Sequence, residues 1–306
     1  MYARENLRNV FGLTIAWIGF LCWFTIGPHL PYHGVLLALT PLVSLAFQQY
    51  LSGVIHEGAH ALFIQRNRKL NELVVNWAAA YVFLYGLDAY RFEHFRHHRN
   101  TVFCVIEDRE TFQYAAKRGE LGKGFSIDLL GLTALGTFLI RTGQPAEYPD
   151  SLDERAPPPS RWSVIVPHFF VLWTTLAWLG SPLFVLGFFF SLGTLYMASN
   201  RIRVWGTHGD LYKKDGLQSS EVARNLLSPV WERIFIGNRM MMYHHEHHLA
   251  PYLTFRQCES AALSRYRESQ ALPQRPLDYN VQVPSYFFFI KHFLAKTFNT
   301  PAQTGN

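Results

Sequence analysis

The sequence predicts an all-α integral membrane protein with four transmembrane helices in two hairpins, and three observations lead there. Four apolar runs without charge, at residues 10–27, 34–55, 163–179 and 183–199, come as two closely spaced pairs. Basic residues avoid them: no Lys or Arg lies between Asn9 and Gln65, or between Trp162 and Asn200. Histidine, with 14 copies in 306 residues, is concentrated in three short boxes just outside the runs. Hydrophobic residues reach 49% while charged ones are held to 16%, low for a soluble chain, which sets the class before any residue is weighed.

The first run, Val10–Gly27, follows Arg4 and Arg8 and ends without a small-x-small cleavage site, so it reads as a spanning helix rather than a leader. Pro28-His-Leu-Pro-Tyr-His33 forms a turn, and Gly34–Ile55 supplies the second span. At 18 and 22 residues these two meet the roughly 20 helical residues that a hydrocarbon core of about 30 Å requires. The third and fourth runs have 17 residues each and hinge at Gly180-Ser181-Pro182. Two further stretches, Leu73–Leu87 and Phe125–Ile140, are shorter and carry Asn76 and Asp128. A crossing by the first would separate the first two histidine boxes to opposite sides, so both stretches are expected to be interfacial or re-entrant. Ala156-Pro-Pro-Pro-Ser160 cannot be helix interior and closes this insert. The tail Tyr286–Phe298 has the pattern of an amphipathic surface helix.

Since every basic residue lies on one side of this arrangement, the positive-inside rule makes that side cytoplasmic. Both termini and all three boxes of a multi-pass protein then face the cytoplasm. The net charge of +6 and the pI of about 9.2 suit anionic lipid or an acidic protein partner, with no nucleic acid, given the spans. Cys22, Cys104 and Cys258 show no CxxC pairing, which points to neither a disulfide framework nor a cysteine-bound cluster.

The boxes are His56-Glu-Gly-Ala-His60, His94-Phe-Arg-His97-His98 and Tyr243-His244-His245-Glu246-His247-His248-Leu249. On a helix, positions three and four apart share a face, so each box can offer clustered imidazoles. Leaving out His245, which breaks the face of its neighbours, the boxes hold eight histidines, and His208 just after the last run makes a ninth. A structural zinc takes four ligands and a catalytic zinc usually three, so this number suggests a dimetal site. Ligand type alone does not choose among zinc, copper, iron and nickel. Placement beside a lipid phase favours oxidation of hydrocarbon, for which zinc lacks the redox chemistry and iron with O2 does not. His29 and His33 fall in the turn on the opposite face, His168 reads as a packing residue inside the third run, and His292 as exposed.

HEGAH, then HFRHH 34 residues after its last histidine, then YHHEHHLAP beyond two later spans, resembles the membrane fatty acid desaturase superfamily over about Leu51 to Tyr266. Asp108-Arg109-Glu110 is similar to the acidic DPD/DPE element of that family with Arg in place of Pro, and Ser228-Pro-Val-Trp-Glu-Arg233 to its lead-in to the third box. The resemblance implies one domain over 1–306, with a cytosolic helical cap from 56–162 and 200–306 above the membrane helices. It implies two non-heme iron ions held by His56, His60, His94, His97, His98, His208, His244, His247 and His248, with no catalytic residue beyond these ligands.

It also implies an oxidoreductase that takes O2 and electrons from a separate donor protein and desaturates a fatty acyl chain carried by lipid, CoA or a carrier protein. Hydroxylase, acetylenase and ketolase outcomes share the same boxes, and zinc can replace iron in purified protein. Some relatives carry an Asn one turn before the ninth ligand, where this chain has Val204. Glu57, Glu93, Asp108 and Glu246 are candidates to orient the imidazoles, by nearness in sequence. Arg91, Arg96 and Arg99 could meet a headgroup or an acidic donor, or simply solvent. HEGAH also resembles the HExxH helix of zinc proteases, which makes a membrane zinc hydrolase the rival from another class. That alternative uses three ligands and leaves five or more histidines unexplained. A metal transporter would instead place its ligands within the spans.

Overall fold

The computed structural model describes residues 2–99, 121–143, 161–209, 211, 223–237, 239–271 and 281–291. Asp108-Arg109-Glu110, the proline run at 156–160 and His292 lie outside the described residues. Apart from two strands of two residues, the described elements are helical. Among the described residues, four helices are long and apolar enough to cross a membrane: Tyr2–His29, His33–Ala59, Trp162–Leu179 and Pro182–His208. They contain the four predicted runs and fit an integral membrane protein. The chain divides into two compact units, one of residues 1–96 and 131–197, the other of 97–130 and 198–306.

In the first unit, α1 (Tyr2–Thr25) and α2 (His33–Ala59) are joined through a short turn at Gly27–His29. α7 (Trp162–Leu179) and α8 (Pro182–Gly193) form the second pair. The Ser181 hydroxyl accepts the Leu183 N–H and Pro182 occupies the first helical position, two standard ways of starting a helix. Phe20, Phe24, Phe47, Trp173, Phe184 and Phe188 fill the centre, with the Phe20 and Phe47 rings stacked at 4.0 Å. Outward faces are apolar as well: Ile15, Ile18, Leu42, Phe170, Val171, Leu186 and Phe190 are exposed, as on a lipid-facing surface. Polar groups inside such a bundle need internal partners. Gln48 donates to the Phe188 carbonyl at 3.0 Å and accepts from Ser191 at 3.1 Å, and Trp23 donates to Thr40 at 3.0 Å. Gly180 lies so close to the Phe24 carbonyl that no Cβ could fit between them.

The apolar stretch Leu73–Leu87 is not a straight crossing. α3 (Arg68–Ala78) leads into a short turn at Ala80–Phe83, Leu84 adopts the left-handed region with φ 56°, and α4 (Leu87–Arg99) departs. The two arms are bent by 87°, which makes them a broken span or a re-entrant loop. α3 is polar inside and apolar outside: Asn71, Val75 and Asn76 are buried, while Leu70, Leu73 and Trp77 are exposed. Phe125–Ile140 divides likewise, into α5 (Leu121–Leu129) and α6 (Leu132–Gly143), with Gly131 at φ 75° between them.

The fourth span changes helix at Thr194, and α9 (Leu195–His208) carries it nine residues past the predicted end at 199. The second unit takes up the end of α9 together with β1 (Asn225–Leu226), α10 (Val230–Phe235), α11 (His244–Leu249), α12 (Phe255–Ala271), β2 (Gln282–Val283) and a helix at 286–291. β1 and β2 pair in parallel, Asn225 with Gln282 and Leu226 with Val283. Trp205, Leu226, Ile236, Val283, Tyr286 and Phe289 form its core. Glu232, buried on α10, accepts the backbone N–H groups of Tyr286 and Phe287 at 2.9 and 3.3 Å and so caps the last helix. Asp128 and Arg201 are buried opposite each other with two bonds, Nε–Oδ2 at 2.5 Å and Nη2–Oδ1 at 2.9 Å.

Candidate metal centre

Box one ends a spanning helix. His56 lies in the last turn of α2 and His60 caps it, after which Ala61 at φ 56° turns the chain away. Gly58, between the two histidines, lets the Val75 side chain of α3 sit where a Cβ would be, so α3 packs directly on the box. Box two lies along α4. In the first unit the His60 and His94 Nε2 atoms are 2.9 Å apart, and the His56 and His94 ring centroids 4.4 Å apart. His56 and His94 are fully buried. Arg91 is engaged with the scaffold: its Nε donates to the Ala59 carbonyl at 2.8 Å and its Nη1 pairs with Asp88 and Glu72 at 3.0 and 3.1 Å. Arg96 is buried with its guanidinium over Phe92, and the side chain of Arg99 lies outside the described residues.

The second unit gathers His97, His208, His244 and His248, each offering a ring nitrogen within 4.8 Å of the others. His244 Nε2 lies 2.9 Å from His208 Nε2 and 3.1 Å from His248 Nε2. His98 and His247 face each other with Nε2 atoms 3.0 Å apart. An imidazole nitrogen has one in-plane position, either a lone pair or an N–H, so it serves one hydrogen bond. Two partners converging on the same nitrogen are better accounted for by a cation held among all three. Two nitrogens bonded to one ion at the zinc–imidazole length of about 2.0–2.1 Å would lie about 3 Å apart, and the observed separations are of that size, so the residues fit a metal ion. Burial, reinforced by the neighbouring His98, His244, His97 and His208, pushes the pKa of His248 well down and leaves its imidazole neutral with a lone pair to give.

α11 is short, and its start is secured from outside. Asn225 Oδ1 accepts the N–H groups of His245 and Glu246 at 3.1 and 3.3 Å. The His245 ring turns to the Ala223 carbonyl, with Nδ1 at 3.1 Å, and belongs to neither histidine group. Glu246 accepts from Arg265 at 2.9 Å and from Asn225 at 3.3 Å, contacts that orient the helix rather than a histidine ring. Tyr243, just ahead of the box, is fully buried and donates to Glu259 at 2.8 Å. Val204 is buried one turn before His208.

Three other histidines lie among the described residues outside the boxes. The His168 ring packs edge-on to Trp77 at 4.9 Å and against Tyr81 at 5.6 Å. His29 Nε2 lies 3.2 Å from the Leu179 carbonyl and His33 Nδ1 3.2 Å from that of Leu30. Sequence reasoning missed Asn71 and Asn225 as partners of the boxes. Asn71 donates to the Gly58 carbonyl at 2.9 Å, and neither residue has a motif to announce it. No individual curated protein matches the chain significantly. A model of the fatty acid desaturase family matches residues 32–280.

Proposed function

Because the chain belongs to the fatty acid desaturase family, we propose that it is a membrane-bound non-heme diiron oxidoreductase that desaturates a fatty acyl chain with O2. The observation that carries the proposal is the convergence of imidazole nitrogens, without a carboxylate among them, on shared positions such as that beside His244 Nε2. Helix geometry then suggests how the boxes divide their ligands. With about 100° per residue, positions i and i+4 lie about 40° apart, while i+3 lies about 60° to the other side. In α4, His94 and His98 therefore share one direction and His97 takes another; in α11, His244 and His248 share one and His247 takes another. The pairing of His98 with His247, and of His97 with His208, His244 and His248, supports an assignment to two metals. His97, His208, His244 and His248 are assigned to one metal, and His56, His60, His94, His98 and His247 are the remaining ligand positions that the family resemblance implies.

Two irons so held would activate O2 for removal of hydrogen from an unactivated methylene, which no side chain can do alone. The protein residues contribute neutral imidazole donors, a fixed geometry and exclusion of bulk water, since His56, His94, His97 and His247 are each at most 1% exposed. No protein nucleophile or general base is needed. Electrons come from a separate donor protein, and the acyl chain is presented by lipid, CoA or a carrier protein. A two-hairpin arrangement would leave both termini and the boxes on one side, which the positive-inside rule makes cytoplasmic. Hydroxylase, acetylenase or ketolase chemistry at the same centre is the second reading, because imidazole ligation does not separate these outcomes.

The test is metal content per chain in protein from iron-supplemented cells, together with product analysis of acyl lipids incubated with O2 and reductant. Two irons, lost in His97→Ala or His247→Ala, and a new double bond are the expected results. A single zinc with hydrolysis persisting without O2 would overturn the proposal and make Glu57 of HEGAH the base of a hydrolase.

A further inference from the structure

We propose that three buried asparagines, Asn71, Asn76 and Asn225, are positioning residues of the metal centre, one for each histidine box. The inference rests on the metal-centre reading above and concerns how the chain holds its ligands still. Helix ends leave backbone N–H and C=O groups without intrahelical partners, and the boxes lie at or near such ends. Asn71 Nδ2 donates to the carbonyl of Gly58, between His56 and His60, at 2.9 Å, while its Oδ1 accepts the Ile64 N–H at 3.0 Å. One amide thus closes the loop leaving box one. Asn76 Oδ1 accepts the N–H of Leu87, the first residue of α4, at 2.9 Å, two turns ahead of His94.

Asn225 holds box three. Its Oδ1 takes the N–H groups of His245 and Glu246, and its Nδ2 reaches Glu246 Oε1 at 3.3 Å. Its own backbone N–H donates to the Val281 carbonyl at 2.7 Å, which fixes it to the returning C-terminal segment.

An asparagine suits all three places because it donates and accepts without charge. A carboxylate beside a metal would compete as a ligand, and a hydroxyl cannot form both bonds of Asn71 or Asn225 in opposite directions. All three are buried, Asn71 and Asn225 completely and Asn76 to 6% exposure, so water cannot substitute for the lost bond. The asparagines touch box backbone rather than metal. Groups that hydrogen-bond the ligand side chains themselves typically alter metal affinity by about 10–100-fold, and partners of the box backbone are expected to act toward the lower end of that range.

The experiment compares the iron-loaded full chain with Asn71→Ala, Asn76→Leu and Asn225→Ala. It reads metals per chain, the rate at which a chelator removes iron, and the iron spectrum of the monodisperse fraction. Release about tenfold faster or more, with a changed spectrum, is expected of all three. If an alanine variant aggregates, Asn71→Gln or Asn225→Gln keeps the amide but displaces it by one methylene, and faster release is again expected. Variants that unfold at lower temperature yet release iron at the wild-type rate with an unchanged spectrum would overturn the inference and leave the asparagines merely structural. A wild-type chain that binds no metal would overturn the metal-centre reading and this inference together, whereas two metals with indifferent variants would overturn the inference alone.

Discussion

His245 and His248 stand in one helical turn and have opposite tasks. His248 sits among three other imidazoles, whereas His245 turns to the Ala223 carbonyl. His245→Ala is therefore expected to keep two metals per chain while losing about 1 kcal/mol of stability with its hydrogen bond. His248→Ala should lose metal, and elemental analysis of the two variants side by side checks the contrast. The Asp128–Arg201 pair supplies a second expectation at this scale. Both groups are buried, so Arg201→Met alone leaves a carboxylate without its counter-charge and should cost about 3–5 kcal/mol in denaturant unfolding. Asp128→Leu combined with Arg201→Met should recover most of that loss.

The residue scale was also the most legible in the sequence. Box spacing names eight histidines without any structure, because helical periodicity makes HxxHH and HxxxH into faces. His208 needed its place after the last apolar run as well as the family resemblance. Asn225 was beyond reach: it lies 19 residues before His244 and meets the box only because the chain returns to it. Arg91 is similar: Asp88 is a neighbour on its own helix, but its partners Ala59 and Glu72 are tertiary.

Among the elements, α3 shows what composition hides. Its residues read as a short apolar stretch interrupted by Asn76, while the folded helix presents Leu70, Leu73 and Trp77 outward and keeps Asn71 and Asn76 inside. Such an inversion suits a helix lying in the lipid interface. A nitroxide at Leu73→Cys, in a chain with its native cysteines replaced and set in bilayers, should be relaxed more by oxygen than by a water-soluble nickel complex. The reverse ranking would place α3 in water.

Helix breaks were legible only in part. Gly131 at φ 75° splits Phe125–Ile140, and Thr194 splits the fourth span, yet neither carries a proline that would have marked it. In the second unit, Gly206 of α9 faces the Tyr286 ring, where an added Cβ would lie 2.5 Å from a ring carbon. Gly206→Ala should therefore push the C-terminal helix away and lower the unfolding midpoint, with Tyr286→Leu in the same background restoring part of the loss.

For the whole molecule, the class was written in the chain's charge pattern. Two regions free of Lys and Arg, each holding a pair of apolar runs, define the four candidate spans before any contact is known. The same pattern predicts sidedness. A cysteine at Tyr32, in the turn between α1 and α2, should react with an impermeant reagent added outside intact cells, and one at Asn9 only after permeabilisation. Labelling in the opposite order would reverse the arrangement. The division into two compact units could not be foreseen, since it depends on which distant segments meet. β2 pairs with β1, 57 residues upstream, Asn225 with Gln282 and Leu226 with Val283.

That pairing also bears on how the protein is made. The ribosome delivers all three histidine boxes and every candidate span before it reaches Gln282 and Val283. Until those two residues emerge, Asn225 lacks the strand that steadies it, and the third box waits half assembled. Secure metal capture at the third box is therefore expected after translation of this segment rather than during it.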